Sequence, residues 1–210
     1  MRTPPHHDQP NQPPHPDEVH LLAEAIVRRG ELVDLRRHVP ANRAAFVHWY
    51  QDREIAEVLR HDLEPLTEFQ ARAYFDTIVL PQSYRGTCWA VHLVENGALI
   101  GSTAVTDIDT RRRTCLFRIV IGDKRVWGKG AGTEATRLAV AEAFETLDLD
   151  VVKLEVFTHN ERARGAYARV GFRETGRHVE WVAAHRREIT VIEMSLERSS
   201  WSPTLSPPQR

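Results

Sequence analysis

Cysteine is scarce in this sequence, with Cys88 and Cys115 the only two. Two thiols make neither a disulfide framework nor a metal cluster. Both stand in strand-like surroundings, where a buried thiol behaves as a small hydrophobe, and such sparing use fits a reducing compartment. An excess of charge of one sign is also missing, since the formal net charge is -1. Proteins that grip nucleic acid through its phosphates need a surplus of Lys and Arg. The basic runs Arg111-Arg112-Arg113 and His185-Arg186-Arg187 have acids nearby to offset them, so no nucleic-acid partner is expected. No apolar run is long enough to span a bilayer, and the N-terminus carries no apolar stretch of the signal-peptide kind. No membrane partner is expected, and the expected address is cytoplasmic. The histidines His6, His7, His15 and His20 lack an accompanying Cys, Asp or Glu constellation, so no metal is expected.

What is present is ordinary soluble-protein composition, 41% hydrophobic and 27% charged over 210 residues, enough for one domain with tails. Residues 1–17 are rich in Pro, His, Gln and Asp and are expected to be a disordered tail. A single domain is expected over 18–198. It starts with an extra helix at 18–30, where Leu21, Leu22, Ala25 and Ile26 share a stripe and Gly30 is a stop. A strand at 32–36 and short helices at 44–50 and 55–59 follow. Pro65 reads as the first turn of a helix running to Leu80, with Pro81 as its end. The middle reads as strands at 87–94 and 98–105 joined by an Asn96-Gly97 turn, then a third at 114–121. Helix 131–147, strand 151–157, helix 161–169 and strands 173–182 and 187–196 complete the domain. The tail 199–210, with Pro203, Pro207 and Pro208, is expected to be disordered. The pattern is α+β with a mixed sheet and one β-α-β unit.

The most informative stretch runs from Phe117 to Gly132. A β-branched strand ends at Gly122, glycines recur at 128, 130 and 132, and a helix-forming segment follows. Glycines let the backbone approach an anion, and the first N–H groups of a helix have no internal partner. This is a phosphate cradle with three candidate owners. A Walker-type loop fails, because Gly122 and Gly128 are one residue too far apart and Gly130 stands where the metal-binding hydroxyl belongs. A dinucleotide fingerprint is met literally by Gly130-Ala131-Gly132-Thr133-Glu134-Ala135. Its context is wrong, since a Rossmann sheet needs several parallel crossovers and only one follows.

The third owner comes from what lies beyond. Asn160 is a good N-cap, Ala163, Ala166, Tyr167 and Val170 share a helical face, and Gly171 precedes Phe172 as a stop. With Arg118-Ile-Val-Ile-Gly-Asp123, Trp127-Gly-Lys-Gly-Ala-Gly-Thr-Glu-Ala135 and Asn160-Glu-Arg-Ala163, the sequence resembles the GNAT N-acetyltransferase superfamily over roughly 32–197. Within it, the RimJ/RimL-type branch of ribosomal-protein alanine acetyltransferases is most similar.

That resemblance implies a GNAT fold, a mostly antiparallel sheet of about seven strands with helices on both faces. It implies acetyl-CoA as cosubstrate and transfer of acetyl to a primary amine by direct attack. The acceptor would be a protein or peptide N-terminal α-amine, or else a small molecule such as a polyamine or antibiotic. Trp127, Gly128, Lys129, Gly130, Ala131, Gly132 and Thr133 would hold the pyrophosphate. Ile119, Val120 and Ile121 would pair with the pantetheine, and Asn160 and Arg164 would contact CoA. Tyr167 would protonate the leaving thiolate. The familiar Glu before the loop is Leu116 here, so the implied base passes to Glu180 in the penultimate strand, with Asp107, Asp109 and His159 behind it. Leu116 also leaves open a non-catalytic acyl-CoA-binding module. His48, Trp49, Tyr50, Trp89 and Trp181 are candidates for lining an acceptor pocket, and a homodimer stays open.

Overall fold

Strands begin earlier in this chain than its helical-looking N-terminal pattern predicts. The computed structural model describes residues 26–202. Ile26–Arg29 forms strand β1, which corrects the expected helix at 18–30. Residues 18–25 of that helix, the predicted tail 1–17 and residues 203–210 lie outside the described residues. β1 turns at Gly30 and pairs antiparallel with β2 (Val33–Arg36). The cause is distant in sequence. The backbone N–H groups of Glu31, Leu32 and Val33 donate to the buried Glu134 carboxylate at 2.9, 2.7 and 2.7 Å. A Cβ at Gly30 would lie 2.7 Å from that carboxyl group, so glycine is required by close approach and not as a helix stop. Truncating Glu134 to Ala strands three donors, each costing about 1–3 kcal/mol without a partner. With some water entering, Glu134→Ala should lower the unfolding free energy in a urea titration by about 3 kcal/mol, and Glu134→Gln by less.

One sheet of eight strands, against about seven expected, runs in the order β1-β2-β3-β4-β5-β6-β8-β7. The added strand is β1. The remaining strands are β3 (Cys88–Leu93), β4 (Leu99–Asp109), β5 (Thr114–Ile121), β6 (Val151–Phe157), β7 (Arg173–Val182) and β8 (Arg187–Glu197). Every neighbouring pair is antiparallel except β5 and β6. That single parallel pair is the β-α-β unit read from the sequence.

Helices cover both faces because side chains alternate along each strand. Phe117, Leu154 and Val156 join the main core with Ala135, Ala139 and Phe144, beneath helix α5 (Ala131–Ala141). On the other face, Cys88 and Val120 pack against helices α1 (Arg43–Tyr50) and α2 (Arg53–Leu59) and the segment that follows. Helix α3 spans Glu68–Tyr74, not Pro65 onward. Thr67 and Gln70 exchange a reciprocal capping pair, with Thr67 N donating to Gln70 Oε1 at 2.9 Å and Gln70 N to Thr67 Oγ1 at 3.2 Å; that box outweighs the proline. Nor does Pro81 end the helix. A π-turn at Phe75–Val79 resets the hydrogen-bond ladder, and α4 (Leu80–Tyr84) restarts with Pro81 in its first turn, where its missing N–H is not needed. Finally, the predicted tail 199–210 starts too early. Trp201 packs edge-on against Phe144 with ring centres 5.4 Å apart, which holds residues 199–202 to the domain.

Candidate active site

Strands β5 and β6 begin as neighbours and then part. Their pairing is limited to Thr114 with Val151, Cys115 with Val152 and Leu116 with Lys153. Beyond it, β5 continues to Ile121 and β6 to Phe157. The result is a V-shaped notch with an unpaired backbone edge along Phe117 to Ile121. A cavity of about 550 Å³ occupies it.

At the open end the chain turns through Lys124–Val126 into the glycine loop and α5. Gly128 (φ 76°) and Gly130 (φ 94°) adopt left-handed backbone that other residues resist. Gly128, Gly130, Gly132 and Thr133 line the cavity at the N-terminus of α5, where unpaired N–H groups and the helix dipole favour an anion. Lys129 and Ala131 do not line it. The Lys129 N–H donates to Val126 O at 3.3 Å, and Ala131 is buried in the core. Trp127 faces the cavity and is held on two sides. Its indole N–H donates to Ile121 O at 2.7 Å, and the guanidinium of Arg162 lies 3.5 Å from its ring centre.

Helix α6 (Glu161–Val170) forms the opposite wall. Asn160 caps it, Oδ1 accepting from Ala163 N at 3.2 Å, and Nδ2 donates to Val58 O at 3.4 Å. Tyr167 is buried, lines the cavity and meets Phe117 edge-on. Burial pushes its phenol well above the ordinary tyrosine range, so it holds its proton. Ile119, Val120 and Ile121 line the cavity. Arg164 does not; its guanidinium donates to Thr158 O at 3.2 Å and braces the turn before α6.

Glu180 also lies outside the cavity lining, with both carboxylate oxygens engaged. Oε2 meets His61 Nδ1 at 2.6 Å and Oε1 meets His178 Nε2 at 3.0 Å. His61 itself lines the cavity, as does Glu155 on β6. Neither these two nor Arg162 stands out in the sequence. Arg162 is one charged residue in a helical first turn, and His61 lies in an irregular segment whose partner is 119 residues away. Of the aromatic candidates, Tyr50 reaches the cavity. Trp49 and Trp89 are core, Trp181 is exposed, and His48 is exposed on α1. Burial pushes the Cys88 and Cys115 thiols up to about 12, so neither is a ready nucleophile. His159 Nε2 donates to Glu57 O at 2.8 Å away from the notch, and Asp109 accepts from the Arg111 and Arg112 amides of its own turn. Among the described residues, no group of three or more His, Cys, Asp or Glu is arranged to hold a metal ion, and no helix is long and apolar enough to cross a membrane.

A family model described as an acetyltransferase (GNAT) domain matches residues 33–173. This chain belongs to the GNAT family. The chain is 28% identical over 109 residues to YdaF of Bacillus subtilis (strain 168), which is described as a candidate ribosomal N-acetyltransferase. That match covers 52% of this chain and 59% of YdaF, less than two-thirds of the relative's length. Among solved structures, a GNAT-family acetyltransferase from Bacillus anthracis superposes with a TM-score of 0.70 at 13% identity, covering 82% of this chain and 98% of that one. Spermidine N-acetyltransferase from Vibrio cholerae, solved with CoA and spermine, superposes with a TM-score of 0.69 at 22% identity, covering 81% and 98%. At such identities these structures share the GNAT fold, and the notch and glycine loop are where that fold meets this chain's own residues.

Proposed function

We propose that this protein transfers acetyl from acetyl-CoA to a primary amine, with a protein or peptide N-terminal α-amine as the preferred acceptor. The observation that carries this reading is the bare edge of β5 running into the glycine loop. An extended pantetheine arm can add to that edge as a strand would, while the loop amides of Gly128, Gly130, Gly132 and Thr133 take the pyrophosphate. Trp127 holds the end of the edge by its bond to Ile121 O. The thioester then lies between β5 and β6, beside Tyr167.

Direct attack suits this site. The neutral amine nitrogen bonds to the thioester carbon, and the C–S bond breaks. Tyr167 donates its proton to the departing sulfur and recovers one from the nitrogen. A high phenol pKa keeps that proton in place until the sulfur carries charge.

The acceptor preference follows from proton arithmetic. An α-amine titrating near 8 is about one-tenth neutral at pH 7, whereas a lysine-like amine near 10.4 is neutral about once in 2,500. The α-amine therefore demands far less of a base. A polyamine is the second reading, favoured by Asp62 and Glu155 on the cavity wall and by the spermine bound in the Vibrio cholerae relative of the same fold.

Calorimetry with acetyl-CoA, followed by a free-thiol assay over peptides, lysine analogues and polyamines, tests the reading. Absence of acetyl-CoA binding sinks it outright, and binding without turnover on any amine points to a non-catalytic module. Preference for lysine contradicts the α-amine assignment. Tyr167→Phe should lower kcat about 100-fold, a usual loss for a positioned acid. Acetyl-CoA affinity should stay within about threefold, because uniform binding is untouched.

A further inference from the structure

Glu180 was the base implied by family resemblance, yet the geometry gives it a different task. Residues between α2 and α3 cross the sheet face opposite α5, where Leu63 packs with Phe157, Val182, Ile189 and Val191. This places His61 edge-on to Phe157, ring centres 5.3 Å apart, at the rim of the notch. Around it lies a chain of alternating acids and imidazoles. Glu193 Oε1 meets His178 Nδ1 at 3.1 Å, His178 Nε2 meets Glu180 Oε1 at 3.0 Å, and Glu180 Oε2 meets His61 Nδ1 at 2.6 Å. The last nitrogen, His61 Nε2, lies 3.7 Å from Glu155 Oε2.

Protonation states follow from the donor count. An ionised carboxylate only accepts, so His61 Nδ1 must donate to Glu180, and the lone pair of the neutral ring is left on Nε2. Both nitrogens of His178 lie within hydrogen-bond distance of a carboxylate, at 3.0 and 3.1 Å, whereas His61 Nε2 at 3.7 Å does not, so His178 is the ring best satisfied as the cation. The hydrogen bond that His178 donates to Glu180 leads the causes that raise its pKa.

We propose that His61 Nε2 accepts the proton of the substrate amine, with Glu155 holding the incoming ammonium and Glu180 positioning the imidazole. The inference rests on the acetyl-transfer reading. An ammonium has three donors, enough to bond Glu155 and His61 at once. One N–H bond breaks as the proton moves to Nε2, and the freed pair on nitrogen attacks the thioester. Tyr167 passes the second proton to sulfur, so amide and thiol form while His61 keeps one proton. The side chains of His61 and Glu180 are 41% and 31% exposed, which lets that proton leave to water.

The test is the pH dependence of His61→Gln and Glu180→Gln, with acetyl-CoA and a peptide α-amine. Besides Glu155 and Glu180, the charged groups around His61 are Arg60 and Asp62 on its own segment, His178 on β7 and Glu193 on β8. His61→Gln should lose about 30- to 100-fold in kcat at pH 7. The deficit should shrink to within about threefold at pH 9, where the α-amine arrives neutral. Glu180→Gln should lose about fivefold and move the acid limb of the kcat profile to lower pH, because a carboxylate that favours imidazolium is gone. A merely structural role for Glu180 would leave that limb in place. Unchanged acetyl-CoA affinity by calorimetry serves as the folding control; if His61→Gln fails it, the Glu180→Gln limb decides alone. A His61→Gln variant within about twofold of wild type across the pH range, or a loss that persists undiminished at pH 9, overturns the inference and leaves acetyl transfer standing. An unmoved limb in Glu180→Gln removes its positioning role. No turnover by the wild type on any amine overturns both.

Discussion

Acidification from pH 7 to pH 4 should destabilise the native chain relative to a His38→Gln variant by about 3 kcal/mol. His38 is fully buried. Its Nε2 is 2.9 Å from Ser102 Oγ, its Nδ1 is buried without a hydrogen-bond partner, and Phe75 meets its ring edge-on at 5.6 Å. Charging the ring would place a cation in a fully buried site, and burial, outweighing hydrogen bonding at Asn42 and Trp89, pushes the pKa down to about 3. The unfolded chain takes up this proton near 6.5, while the folded chain refuses it until about 3. Between those values the unfolded state binds more protons, so stability falls with falling pH by about 1.4 kcal/mol per unit. Below pH 3 the full loss reaches about 4–5 kcal/mol, comparable to the whole stability of a marginal domain. Other carboxylates contribute to acid unfolding in both proteins and cancel in the difference. Urea midpoints at pH 7, 5 and 4 measure it, and parallel stability curves for the two proteins would refute the assignment. Ser102 and Cys88 line the cavity, so that wall of the notch should be where acid unfolding begins.

Elements whose cause is local were legible in the sequence. Strands β5 and β6 and the α6 cap stand at the residues read from β-branched runs and from Asn160 and Gly171. Where the cause is remote, the local pattern misled. Ile26 sits on a helical stripe, yet Glu134 captures the next turn's amides and makes a strand. Pro81 looks terminal, yet a π-turn beside it absorbs the missing donor. Trp201 sits among prolines, yet Phe144 offers it a partner.

The site divides along the same line. Ile119 to Ile121, Trp127, the three loop glycines, Asn160 and Tyr167 converge on one cavity, because strand, loop and helix cap each follow from contiguous sequence. Lys129 and Ala131 lie in the right loop but alternate away from the cavity. The acid–imidazole chain was invisible, since it joins one irregular segment to three strands from distant parts of the chain. No spacing rule links His61 to Glu155 or Glu180; the antiparallel register of β6, β8 and β7 gathers the acids and His178, and the packing of Leu63 on that face brings His61 to them.

Gly122→Ala should be the most damaging single methyl group in the β5 wall. Gly122 follows the last residue of β5, and its N–H donates to Ile100 O at 2.8 Å. The restriction is space alone. A Cβ there would lie 2.1 Å from the ring of Trp49, which is buried against Ile55 and Val120. An indole is rigid, so either the ring or the strand must shift. Overpacking usually costs about 1–3 kcal/mol, and this overlap belongs at or above the top of that range. The strain falls on the edge assigned to the pantetheine, because Val120 packs on Trp49 while Ile121 O receives the Trp127 indole bond. Acetyl-CoA affinity should therefore fall about tenfold, or about 1.4 kcal/mol, in whatever fraction remains folded. Trp49→Leu opens the space at its own cost of a few kcal/mol for lost aromatic burial. Combined with Gly122→Ala, it should give a double variant more stable than the sum of the singles by about 1–3 kcal/mol. Urea unfolding of the four proteins measures that coupling. Additive losses would mean that Trp49 does not set the glycine requirement, and that the backbone of β5 demands it for another reason.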